Sequence, residues 1–297
     1  MDYITSRHLS YSRIKSLLHQ GEKSDSVSLQ TGSIVDSILT GNPNEEIEVV
    51  ELKSLAPQED KFIRELYKLT DKPDALDFQV AFNNVGIKRG KVDDFIKVFN
   101  DNQDFWKFLK HKDLSDKIVT TKKHFENCEI IADRVINSDY GWYFNHHYQV
   151  DGSIKFQLEL YYEYGNYGYK IKPDILLVDS TNKTIRCIDL KTTSSHPANF
   201  LESYVAYGYN FQSRFYNYVL SLLYPDYTIL PFQFLVVSTV KDHDVLLFTD
   251  DLDMTETNAK LDIAINMYER CVDNGVFPSR ENYLVSLYGT NIPLSAC

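Results

Sequence analysis

The chain has 297 residues, 43% of them hydrophobic, 25% charged and 13% aromatic, and a net charge of −11. Such a composition belongs to a folded soluble protein with room for one large domain or two small ones. The acidic balance excludes a protein that coats nucleic acid through a general positive field, while leaving room for a local basic groove beside an acidic, metal-binding site.

The N-terminal "MDYITSRHLSYSRIKSLL" lacks the apolar core of a signal peptide, and no run approaches the ~20 apolar residues of a membrane helix. We therefore expect a cytoplasmic location and no membrane association. Residues 10–20 carry Ile14, Leu17 and Leu18 at helical spacing, and "GSIVDSILTG" marks a second short helix ended by Gly41 and Pro43. The acidic stretch 44–75 contains one amphipathic helix, "EDKFIRELYKL". Residues 88–123 turn basic, with lysines from Lys88 to Lys123 interleaved with Phe95, Phe99, Phe105, Trp106 and Phe108. Two readings stand for them, a solvated amphipathic helical face or a groove for a phosphate backbone. A helix over 121–137 follows. Residues 148–179 read as two or three strands and "TIRCIDLKT" as another. Next come a long helix over 202–224, two strands in "LPFQFLVVST" and "DVLLFTD", and a helix opened by threonine and closed by Gly275. Cys128, Cys187, Cys271 and Cys297 form no C-x-x-C pair and read as reduced thiols, not as a zinc or iron–sulfur site.

The chemistry is concentrated in "KIKPDILLVDSTNKTIRCIDLKTT", residues 170–193. Side chains alternate faces along a strand, so Asp189 and Lys191 share one face with Ile185 and Cys187. A hairpin turning at 180–183 sets Ile175–Asp179 alongside Thr184–Ile188 and brings Asp174 to the Asp189 end. Two carboxylates from neighbouring strands then converge, with a lysine two residues on. Mg²⁺ takes one or two carboxylates and completes its octahedron with water and substrate phosphate, and the Leu190 carbonyl offers a third oxygen. A metal held there polarises a phosphoryl oxygen and lowers the pKa of its bound water. Lys191 would orient that water and offset charge in the transition state. A D-x-K triplet alone reads as a surface ion pair. The larger pattern, apolar–Pro–Asp, hairpin, apolar–Asp–x–Lys, is what carries the chemistry.

That layout resembles the PD-(D/E)xK nucleases, with "KPDILLVD" and "IDLK" as the two halves of the motif. "QSRFY" places Gln212 and Tyr216 on one face of a helix, similar to the Q-x-x-x-Y motif of the RecB-like exonuclease branch. In that branch these residues lie near the active site and help hold DNA. "GSIVDSILTG" resembles the branch's N-terminal motif, in which a glycine precedes a histidine or aspartate, and Asp36 stands at that place. "FQFLVVSTVKDHDVLLF" and "MYERCVDNGVFPS" look like the strands and closing helix of phage exonucleases of the exonuclease VIII and lambda exonuclease type. The resemblance covers residues 5–41 and about 120–280.

The resemblance implies a restriction-endonuclease-like α/β core, a small mixed central sheet flanked by helices, with an N-terminal helical region. It implies a single nuclease domain over 1–297, divided into N-terminal helices (1–41), a helical insertion (42–115), a catalytic core (116–250) and a C-terminal helix and tail (251–297). It implies a Mg²⁺-dependent deoxyribonuclease, with Mn²⁺ as substitute and no iron–sulfur cluster. Such an enzyme digests linear duplex DNA from an end, leaving single strands for recombination or repair. The metal ligands would be Asp174, Asp189, the Leu190 carbonyl and Asp36, with Glu159 as a further catalytic carboxylate. Phage origin, action in a host cytoplasm, a single-strand annealing protein as partner and a homo-oligomeric state follow from the same resemblance. Two alternatives are a catalytically weak DNA-binding or structural protein on this scaffold, and a restriction-type endonuclease. A kinase reading of "IDLKTTSS" fails, because no His–Arg precedes Asp189 and no Gly-x-Gly-x-x-Gly occurs. His146 and His147, adjacent on a strand, would point opposite ways and do not make a metal pair.

Overall fold

A computed structural model of the chain describes residues 8–18, 27–41, 46–144, 153–240 and 242–274. The chain divides into two compact units, Met1–Asn42 with Ile130–Cys297, and Pro43–Glu129. The second unit contains nearly all of the segment read as an insertion. The pair His146–His147, Gly275 and Cys297 lie outside the described residues.

In the first unit two helices, α1 (Tyr11–Leu18) and α2 (Val27–Thr40), precede the strands. Gly41, at a φ of 62°, ends α2 in the left-handed conformation that glycine adopts without strain. The main sheet contains β3 (Ile154–Phe156), β6 (Ile175–Asp179), β7 (Thr184–Thr193), β8 (Thr228–Ile229), β9 (Gln233–Ser238) and β10 (Val245–Thr249). Its order is β10-β9-β7-β6-β3, with β8 also beside β7. The sheet is mixed: β7 runs parallel to β9, while β6–β7, β3–β6 and β9–β10 are antiparallel. A separate hairpin joins β4 (Leu160–Tyr164) to β5 (Tyr167–Ile171). Where the sequence suggested two or three strands over 148–179, the described part alone forms four. Gln157, at a φ of 48°, separates β3 from β4, and Gly165, at 58°, turns β4 into β5.

The parallel β7–β9 pair requires a crossover, and α8 (Phe200–Ala206) and α9 (Tyr209–Leu223) supply it. The single helix expected over 202–224 is thus two. The break falls at Gly208, at a φ of 73°, whose carbonyl accepts from the Phe211 N–H at 3.0 Å and from the Tyr11 hydroxyl at 2.8 Å. The last helix, α10 (Thr255–Asn274), packs with α9. Inward residues of these elements, among them Ile185, Cys187, Phe215, Val219, Phe234 and Ile265, form one buried core. Burial pushes the Cys187 thiol well above its usual value, and Asp189 and Asp174 add to the shift, so Cys187 packs as a small apolar side chain and not as a nucleophile.

The second unit holds α3 (Pro57–Leu69), α4 (Ala75–Val85), α5 (Val92–Asp101), α6 (Gln103–Leu114) and a parallel pair of β1 (Ile47–Val50) with β2 (Ile118–Thr121). The unit boundary falls within α7 (Lys122–Ile136). All five aromatics of the basic stretch, Phe95, Phe99, Phe105, Trp106 and Phe108, are buried in this unit's core. Lys107, Lys117 and Lys122 are paired with Asp104, Glu46 and Glu51. These aromatics cannot stack on bases, and these lysines already have counter-charges. The stretch is a set of amphipathic helices packed through their apolar faces.

Candidate metal-dependent nuclease site

The β6–β7 register is the one that strand alternation predicts: Ile175 faces Ile188 and Asp179 faces Thr184. Asp174, just before β6, therefore lies beside the continuation of β7. The Leu190 N–H donates to Asp174 Oδ2 at 2.8 Å. Because the N–H and C=O of one strand residue point to the same side, the Leu190 carbonyl also faces the side where β6 has ended. One face further along, Asp189 is 3% exposed. Its Oδ1 accepts from Gln212 Nε2 at 2.5 Å, and its Oδ2 pairs with the Lys191 ammonium. The pair that a lone D-x-K would place on the surface is thus largely buried. Gln212 reaches it from α9, where one helical turn later Tyr216 donates its hydroxyl to the Lys172 carbonyl at 3.4 Å. Tyr216 thereby braces the chain just ahead of Pro173–Asp174.

Asp36 joins from α2 through a residue that the sequence did not single out. Gln157 Nε2 lies 3.1 and 2.8 Å from the two Asp36 oxygens and 3.1 Å from Asp174 Oδ1. The Gln157 main-chain N–H also donates to the Asp174 carbonyl at 3.1 Å. Its left-handed backbone is uncommon outside glycine and marks a position held by its surroundings. As a glutamine it carries no charge and is not itself a typical ligand for a hard cation. The signal that could have found it is its place at the end of β3, the strand beside β6. Glu159, two residues later, is half-buried and accepts from the Tyr161 hydroxyl at 3.4 Å. No hydrogen bond among the described residues ties it to Asp36, Asp174 or Asp189.

The electrostatics follow from this crowding. Burial first, and then the charges of Asp189 and Asp36, push Asp174 well above the usual carboxylate range; Lys191 and the Leu190 N–H offset this only in part. Burial works against the Lys191 ammonium, but Asp189, Tyr209 and Asp174 outweigh it and hold its pKa above the ordinary lysine value. Lys191 is thus held as a cation beside Asp189.

The donor set suits a hard divalent ion. Gln157 sets the positive end of an amide dipole between the Asp36 and Asp174 carboxylates, and the excess negative charge that lifts Asp174 is what a cation would relieve. Among the described residues no three His, Cys, Asp or Glu side chains form a ready-made metal cage. Carboxylate and carbonyl oxygens, with water completing the shell, are nonetheless the donors that Mg²⁺ takes.

Residues 12–283 match the model of a family described as a PDDEXK-like domain of unknown function (DUF3799). The chain belongs to this family. It is a member of the PD-(D/E)xK nuclease superfamily, with a mixed sheet flanked by helices as that fold requires. A crystal structure from Eubacterium rectale, named a "putative exonuclease", is similar over 82% of this chain and 97% of its own, at 16% identity and a TM-score of 0.40. No curated protein matches the sequence.

Asp36 depends on how closely α2 approaches β7. A Cβ on Gly32, one turn before Asp36, would stand 3.2 Å from the Thr192 hydroxyl oxygen. Alanine at position 32 is accommodated only if Thr192 gives way, and leucine forces α2 outward. We expect Gly32→Leu to reduce turnover by roughly 10²-fold, since a displacement of about 1 Å can have that effect. Gly32→Ala should lose less, and Thr192→Ala in that background should restore it. Steady-state turnover of all four proteins checks this; equal activity in Gly32→Leu would show that Asp36 is not held by this contact.

Proposed function

We propose that the protein is a metal-dependent DNA exonuclease of the RecB-like kind, hydrolysing phosphodiester bonds of linear duplex DNA from an end. The observation that carries this reading is the convergence of Asp174 and Asp189 from adjacent strands, with Lys191 and Gln212 on Asp189. Asp174, Asp189, the Leu190 carbonyl and Asp36 would hold Mg²⁺, for which Mn²⁺ would substitute. The bound ion would supply a Lewis acid and a more acidic water. Lys191, permanently charged, hydrogen-bonds the attacking water and opposes negative charge as it develops on the phosphoryl oxygens. Gln212 fixes the Asp189 carboxylate so that one oxygen remains directed at Lys191. Gln157 holds Asp36 and Asp174 apart at a set spacing, and Tyr216 steadies the turn into Asp174. Glu159, two residues from Gln157, would be a further catalytic carboxylate.

Residues 43–129 would be an insertion into the nuclease unit. The single strands left by digestion would pass to recombination or repair, with an annealing protein as natural recipient, and a phage is the origin that the motifs suggest. The test is release of label from linear duplexes with one terminus blocked, beside covalently closed circles, in Mg²⁺ and in Mn²⁺. Loss of label from open ends with circles intact is expected. Cutting of circles would make it an endonuclease, and inertness of every substrate would sink the hydrolytic reading.

A further inference from the structure

Lys191 is not the only cation at this site. Helix α1 is fixed at its start, where the Leu9 N–H donates to the Gly168 carbonyl at 2.8 Å and the Leu9 carbonyl accepts from the Lys170 N–H at 2.9 Å. Ile14 is fully buried, which sets the rotation of the helix, and Tyr11 is tied to the α8–α9 break. Lys15, one turn after Tyr11, shares its face. Its Nζ lies 6.0 Å from the centroid of the Tyr209 ring, and the Lys191 Nζ lies 4.8 Å from the same centroid. One aromatic ring therefore serves two ammonium groups. Lys191 has Asp189 as counter-charge, whereas Lys15 makes no ion pair among the described residues. Burial, and then the charge of Lys191, pull Lys15 below the ordinary lysine value. Tyr207 adjoins this group, with its ring centroid 5.9 Å from that of Tyr209. It is 56% exposed, a large aromatic surface beside two cations.

The geometry points to a nucleotide subsite next to the reacting phosphate, in which Lys15 binds the neighbouring phosphodiester and Tyr207 stacks on the adjoining base. This inference rests on the nuclease reading of Asp174, Asp189 and Lys191. Charge recognises the phosphate and a ring face recognises the base, so the subsite takes any sequence. A base inside a duplex is covered on both faces and cannot lie on Tyr207, so the occupant is the end of a DNA strand, where a base face is open.

Two modified substrates isolate the two contacts: a neutral methylphosphonate at the neighbouring linkage, and an abasic site at the adjoining nucleotide. Each should raise KM of the wild-type protein roughly tenfold while leaving kcat within about twofold. Lys15→Met should match the methylphosphonate effect, be insensitive to that substitution, and flatten the salt dependence of KM by about one charge, with Lys15→Arg restoring both. Tyr207→Ala should be insensitive to the abasic site in the same way. Melting temperatures confirm folding, and if Lys15→Met does not fold the methylphosphonate arm on wild type decides alone. Fully additive losses, or a wild type indifferent to both modifications while it cuts unmodified DNA, would overturn the subsite and leave the nuclease reading standing. A wild type that neither cuts nor binds the labelled strand would overturn both.

Discussion

Lys191→Met should lower kcat by about 10²–10³-fold or more, the range for removing one group that stabilises transition-state charge. It should also destabilise the metal-free protein by about 3–5 kcal/mol, because removing one partner of a buried pair leaves the other charge uncompensated. Asp189, 5% exposed at its side chain, would keep only the Gln212 amide as partner. In a chain of this size that corresponds to a fall in Tm on the order of 10 °C. Adding Asp189→Asn to Lys191→Met should recover much of the stability, since the orphaned charge is then gone, and the pair would be strongly non-additive. Saturating Mg²⁺ should narrow the Tm gap of Lys191→Met, because the ion supplies the missing counter-charge, without restoring turnover. Thermal melts with and without Mg²⁺, beside steady-state rates, check both halves. A Lys191→Met protein with wild-type kcat would remove Lys191 from the reaction, and an unchanged Tm would show that the pair does not hold the site.

The hairpin that carries this pair was legible because its signals are local. Alternation fixed which residues share a face. The turn was written in Asp179, whose carboxylate accepts from the Thr181 and Asn182 N–H groups at 2.9 Å each. From these the Asp174–Asp189 convergence followed without any knowledge of the rest of the chain. What the sequence hid depends on partners distant along it. The β1–β2 pair joins 47–50 to 118–121, and neither short run announces a strand until the other lies beside it. Gln157 matters because two aspartates from other elements meet at its amide. The break at Gly208 was hidden because aromatic and aliphatic residues continue through it at helical spacing. Lys15 lies in an ordinary amphipathic helix, and only the folded chain sets it over the ring that Lys191 also faces. Of the two readings of the basic stretch the amphipathic helical one holds, since its aromatics are spaced for a helical core and not for a binding face.

Asp174→Asn should abolish activity while making the metal-free protein more stable. The substitution keeps an oxygen for the Leu190 N–H and gives up the bond from Gln157, whose Nε2 retains the Asp36 carboxylate. It removes a charge that burial, Asp189 and Asp36 all oppose. The sign of the pH dependence follows. A group whose folded pKa is raised stabilises the fold fully below its unfolded pKa, and that contribution is lost as pH rises through the folded pKa. The metal-free wild type should therefore lose stability between the ordinary carboxylate range and the elevated pKa of Asp174. Asp174→Asn should lack that decline and melt above wild type at neutral pH. Activity should show the converse: an acid limb lying above the ordinary carboxylate range, where protons compete with Mg²⁺ for Asp174, and moving to lower pH as Mg²⁺ is raised. Loss of the ligand itself should reduce turnover by more than about 10²-fold, beyond the loss typical of residues that merely support a ligand. Melting curves across pH without metal, with pH–rate profiles at two Mg²⁺ concentrations, are the measurements. An Asp174→Asn protein less stable than wild type at neutral pH would mean that the carboxylate is held by favourable contacts instead of against its neighbours. An acid limb indifferent to Mg²⁺ would separate Asp174 from the cation altogether. The combination expected, a stabler fold with no chemistry, is what a residue kept charged against its surroundings for the sake of a cation should give.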